Sequence, residues 1–184
     1  IGVNELRDTP STGEDDFLDR IEALNAGRQS VLISDYPEYH MVAEYLARYS
    51  AKQIALPVGV MNLVELLRED RYTHLPGGML EASGRLFASS VRLYIYPGLD
   101  PLTGERIELD NVALPPDSRK LFDYLVERGY VQPLPGLATD RLKVKSDEVL
   151  ARLRGGDPSW RSYVLPEVAE AIEQGGLFGF GKGD

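Results

Sequence analysis

The chain has 184 residues, no cysteine and a formal net charge of −9. That length suits one domain with a small appendage, and the missing cysteines exclude disulfides and thiolate metal sites while favouring a cytoplasmic address. The negative charge repels phosphate backbones, which excludes nucleic acid as a general partner, and no apolar run reaches the ~18 residues of a membrane span.

The charge is uneven. Residues 1–29 hold seven acids and three bases, whereas the stretch from Pro115 onward holds ten bases and eleven acids. The first residue is Ile1 rather than Met, and no basic-then-apolar leader precedes the body, so the chain reads as a piece of a longer protein.

Residues 1–13 are polar and rich in turn formers, as in an arm. A helix is expected from Thr12, with Glu14, Asp15 and Asp16 against its N-terminal dipole, Phe17, Ile21 and Leu24 on one face and Gly27 as its stop. Val31-Leu32-Ile33 is a short apolar run of buried-strand type. Pro37 then suits the first turn of a helix carrying Tyr39, Val42, Leu46 and Tyr49 at helical spacing. Gln53–Val58 reads as a second strand, and Gly59 turns the chain into a helix with Val60, Leu63, Val64 and Leu67 inward.

Gly77-Gly78 opens a further helix with Met79, Leu80, Ser83, Leu86 and Phe87 inward. Val91–Tyr96 is the clearest strand: Val91, Leu93 and Ile95 alternate with Arg92, Tyr94 and Tyr96. Leu102–Glu105 has turn chemistry, and Arg106–Leu109 reads as a short strand. From Pro115 three helices are expected. Asp117 or Ser118 caps the first (Leu121, Phe122, Leu125 and Val126 inward), Ser146 the second (Val149, Leu150 and Leu153), and Pro166 starts the third (Val168, Ala169 and Ile172). Leu121–Val131 has the look of a winged-helix segment, although its balanced charge argues against DNA contact. The tail Leu177–Phe180 is apolar enough to dock.

These elements predict an α/β fold: a small, mainly parallel three- to four-stranded sheet with flanking helices, like half of a Rossmann fold, followed by a helical C-terminal part. Three parts are expected: an acidic arm with one helix at 1–29, an α/β core at 30–114 and a helical subdomain at 115–184.

In such sheets the ligand sits beyond the carboxyl ends of the strands. Asp35-Tyr36-Pro37-Glu38-Tyr39-His40 follows the first expected strand and offers carboxylates, a phenol and an imidazole; Asp35 and His40 are the candidate catalytic bases. Equally, Asp35 has the chemistry of a helix cap and Glu38 that of a dipole partner. Pro57-Val58-Gly59 is a second strand end, but one glycine there marks a tight turn rather than an anion cradle. The third is the segment His74–Phe87. Gly77 and Gly78 free the backbone before a helix, and Glu81 and Arg85 follow within two turns, Arg85 as the anion clamp. Gly84, inside that helix, implies either close packing or room for a ligand.

Tyr36, Glu38, Gly77, Gly78, Glu81 and Arg85 therefore make up the candidate binding set, with a nucleotide or other phosphorylated metabolite as ligand. His40 and His74 do not stand in an H-x-x-x-H pattern, so no metal site is expected, and no cofactor follows from any motif. A P-loop, a dinucleotide fingerprint and a G-x-S-x-G elbow are all missing.

Ser34-Asp35-Tyr36 with Glu38-Tyr39, Gly77-Gly78 with Leu80-Glu81 and Gly84–Phe87, Leu93–Pro97, and Gly155–Trp160 with Pro166–Ala169 and Gly176–Gly179 together resemble the C-terminal region of a family of longer bacterial proteins. That family is frequent in cyanobacteria and functionally unassigned. The resemblance spans Ser34 to Gly179 and implies a larger parent protein, with no activity to carry over. The alternative to a ligand site is an interaction domain without chemistry. Its tyrosine-rich face and Leu177–Phe180 tail would contact a second copy or the rest of the chain.

Overall fold

The computed structural model describes residues 14–49, 52–88, 90–136 and 142–181. In chain order the elements are α1 (Glu14–Ala26), α2 (Tyr39–Ala47), β1 (Ile54–Gly59), α3 (Val60–Leu66), α4 (Gly78–Ala88) and β2 (Val91–Tyr96). Then follow β3 (Gly98–Leu99), β4 (Arg106–Ile107), α5 (Pro116–Glu127), β5 (Val131–Pro133), α6 (Ser146–Arg154) and α7 (Pro166–Gly175). No helix of the described residues is long and apolar enough to cross a membrane. The fold is mixed α/β, with a three-stranded parallel sheet, flanking helices and a helical C-terminal part.

The chain divides into two compact units, Glu38–Lys143 and residues 1–37 with 144–184. The first holds the sheet, in the order β1-β2-β5. Ile54 lies opposite Val91 and Gly59 opposite Tyr96, while Leu93 lies opposite Val131. On β2 the alternation follows the pleat. Val91, Leu93 and Ile95 are buried and Arg92, Tyr94 and Tyr96 are not. The helices close on this face at helical spacing, α3 through Val60 and Leu63 and α4 through Met79, Ala82, Ser83, Leu86 and Phe87. The helix after Pro115 belongs to this unit. Its buried Ser118 donates its hydroxyl to the Leu67 carbonyl, which ties α5 to the end of α3.

β3 and β4 form a small antiparallel hairpin. Asp100 holds its turn by accepting the Leu102 and Thr103 amides, both at 2.8 Å.

Four expectations change here. Val31–Ile33 forms no strand: Leu32 and Ile33 are exposed, and only Ser34 makes a single bridge. A β-branched run becomes a strand only where a neighbour completes its ladder. The third strand is instead Val131–Pro133, which starts where the segment that looked like a winged helix ends; it pairs with β2 through Leu93 and Ile95. In α4, Leu80 is 68% exposed rather than inward, because the buried stripe runs through Met79 and Ala82. The buried residues of α2 are likewise His40 and Ala43, while Tyr39 and Tyr49 are exposed.

The second unit is built from α1, α6 and α7 around Leu153, Trp160, Ile172 and Leu177. Asp16 accepts from Arg20 at 2.7 Å and from Arg154 at 3.5 Å. Asp19 accepts the Phe178 amide at 2.6 Å. These bonds fix α1 to α6 and to the C-terminal segment. Gly176, at φ 62°, ends α7 in the left-handed conformation that suits glycine. The chain then turns Leu177 inward and sets Phe180 edge-on to Trp160. The apolar tail docks within its own unit.

Candidate functional site

α2 and α4 pack together. These helices and the segments just before them carry Glu38, His40, His74, Gly77, Gly78, Glu81 and Arg85.

The centre of this cluster is Glu38. It occupies the cap position of α2 but makes no capping bond. Its carboxylate turns instead to two imidazoles, with Oε2 3.0 Å from His40 Nδ1 and Oε1 3.0 Å from His74 Nε2. His40 is 2% exposed, and neither its Nε2 nor Glu38 Oε2 has an aligned hydrogen-bond partner. Nε2 belongs to a residue lining a chamber of about 10 Å³ shared with Tyr72, Ser83 and Leu86, which is water-sized and too small for a substrate. Tyr72 donates its hydroxyl to the Leu66 carbonyl at 2.9 Å. Burial pushes that hydroxyl above its ordinary value, with the Arg71 charge working against the shift. His74 is half exposed, so of the two imidazoles it is the one open to solvent. An imidazole oriented by a carboxylate has the chemistry of a proton shuttle.

The glycine turn is filled from within. Glu81 accepts the Gly77 amide at 2.9 Å and pairs with Arg85 Nη2 at 2.6 Å. The Gly77 amide, and after it the Arg85 charge, hold the Glu81 carboxyl below its ordinary value. Glu69 accepts the Met79 amide at 3.5 Å. Gly78 has φ 53°, which explains its lack of a side chain. Gly84 is not there for close packing, since a methyl on it would meet nothing within 4 Å.

At the end of β1, Gly59 leaves space for Tyr96, whose ring atoms would lie 3.1 to 3.2 Å from an added Cβ. That turn is a packing feature. Asp35 and Tyr36 are exposed and belong to the other compact unit. Glu38, not Asp35, is the carboxylate beside His40. The helix begins at Tyr39, beyond Pro37, which leaves Asp35 too far upstream to cap it.

A second feature, at the strand ends, was not expected from the sequence. Beyond the ends of β2 and β5 lies a pocket of about 370 Å³. Ile95, Leu109, Phe122 and Val126 form its apolar lining, and Glu108 and Asp110 also line it. Glu108 pairs with Arg106 at 2.8 Å, while Asp110 has no ion pair among the described residues. The rule that places ligands at strand ends would have found this pocket, but only once Val131–Pro133 was read as a strand. Among the described residues no group of three or more histidines and carboxylates could hold a metal ion.

Comparison with protein-family models, with curated proteins and with solved structures finds no match to this chain.

Proposed function

We propose that the sheet unit is a ligand-binding α/β domain whose ligand sits beyond the carboxyl ends of β2 and β5. The observation that carries this reading is the pocket of about 370 Å³ there, apolar within and lined also by Glu108 and Asp110. Its volume falls in the range of small-molecule sites. The chemistry suits a ligand with an apolar body and a cationic or hydrogen-bond-donating group. A nucleotide or phosphorylated metabolite would meet two carboxylates at this pocket, and at the Gly77–Gly78 turn it would have to displace Glu81 from both the amide and Arg85. The lack of cysteine supports a cytoplasmic setting, and the motif resemblance supports a larger parent protein.

The test is thermal shift with alkyl and aryl amines, nucleotides and sugar phosphates. Amines are expected to raise the midpoint, and Val126→Trp, which fills the pocket, to abolish the rise. A rise with phosphates that Arg85→Ala removes would replace this reading with the phosphate one.

A second reading rests on Glu38 lying 3.0 Å from both His40 and His74. In it the domain transfers protons, with His74 as acid–base group and Glu38 as the residue that positions it. NMR should then show the tautomers of the two imidazoles change in Glu38→Gln. An unchanged His74 tautomer removes this reading.

A further inference from the structure

The helical unit carries a pocket of about 420 Å³ beside its core, walled by Leu153, Trp160, Ile172 and Phe178. Leu153, Trp160 and Ile172 are 4%, 1% and 3% exposed, whereas Val144 and Tyr163, which also line it, are exposed, so the pocket opens to solvent. A cavity of this size, lined by aromatic and aliphatic side chains, has the dimensions of a small-molecule site.

Charge on the lining narrows the occupant. Arg20 and Asp147 both contribute to it, and they do not pair with each other. Arg20 gives its Nε to Asp16, which also serves Arg154, and its side chain stays half exposed beside the pocket. Asp147, in the first turn of α6, has no ion pair among the described residues. The lining therefore offers one cation and one anion, separated, around an apolar interior.

We propose that this pocket binds a free α-amino acid with a large apolar side chain. Arg20 takes the carboxylate, Asp147 the ammonium group, and the side chain enters between Trp160 and Ile172. The proposal is independent of the strand-end ligand, since every residue it uses lies in the other compact unit.

Isothermal titration of the full chain with L-tryptophan, tryptamine and indolepropionate tests it. Tryptophan is expected to bind about tenfold more tightly than either analogue lacking one charge. Arg20→Met should bring tryptophan down to the affinity of tryptamine and leave tryptamine unchanged. Asp147→Asn should bring it down to that of indolepropionate. Leu150→Trp, which fills the pocket, should abolish binding while far-UV circular dichroism stays unchanged; Arg20→Met and Asp147→Asn, on exposed side chains, decide the matter if that variant fails to fold. Equal affinity for all three probes, no binding of tryptophan, or tryptophan binding insensitive to both charge variants would overturn the proposal.

Discussion

Gly84 separates two explanations of the segment His74–Phe87. It lies inside α4, is exposed, and a methyl group at its Cα would touch nothing within 4 Å. Its φ is not positive, so alanine is free to adopt the same backbone. Gly84→Ala should therefore stabilise the sheet unit by about 0.5–1 kcal/mol, the difference between glycine and alanine in a helix interior. For a chain of this size that raises the thermal midpoint by about 1–4 °C. Urea unfolding followed by circular dichroism should show a higher midpoint at unchanged slope. The same substitution at Gly78 has the opposite sign. Gly78 sits at φ 53°, and an added Cβ would crowd Glu69 Oε1, so Gly78→Ala should cost about 1–2 kcal/mol. A Gly84→Ala variant that unfolds at lower urea, or that loses a ligand-induced shift, would refute this reasoning and restore a ligand at that glycine.

Glu81→Gln should lower stability at neutral pH, because the carboxylate accepts the Gly77 amide and pairs with Arg85. The folded Glu81 carboxyl lies below its ordinary value near 4.5, so its contribution is present above that value and lost as pH falls through the depressed one. Thermal midpoints of the two proteins should therefore converge in acid; a gap that widens there would contradict the assignment. Ser118→Ala leaves the buried Leu67 carbonyl without its hydroxyl donor and should cost about 1–3 kcal/mol in chemical denaturation. An unchanged midpoint would mean that the bond does not tie α5 to α3. Trp160→Ala removes the most buried large side chain of the helical unit and should cost about 3–5 kcal/mol. Near-UV circular dichroism and proteolysis should show that loss in residues 144–181; protection as in the parent chain would exclude Trp160 as the core of that unit.

Local pattern carried much of the fold. The alternation in Val91–Tyr96 and the helical spacing of Val60 and Leu63 were legible because each reports a single element against a single buried face. The ends of α6 and α7, and the docking of Leu177, followed from glycine, proline and apolar residues in the same local way. The candidate site was legible only in part. His40, Glu38, Gly77, Glu81 and Arg85 do lie on the paired helices α2 and α4 or at their starts, yet nothing in the sequence says that Glu81 turns back on Gly77, or that Glu38 chooses two imidazoles over its own helix cap. Such choices are made by neighbours distant in sequence. Val31–Ile33 and Val131–Pro133 make the same point. Both are short runs with strand character, and only the second finds a ladder, because β2 presents the Leu93 amide and the Ile95 carbonyl to it. Composition and periodicity thus determined the class of fold, the helices and the inward face of β2. Tertiary structure decided which short run becomes the third strand, which carboxylate meets His40, and where the pockets lie. A strand, an ion pair and a cavity each need a partner from elsewhere in the chain, and only folding supplies it.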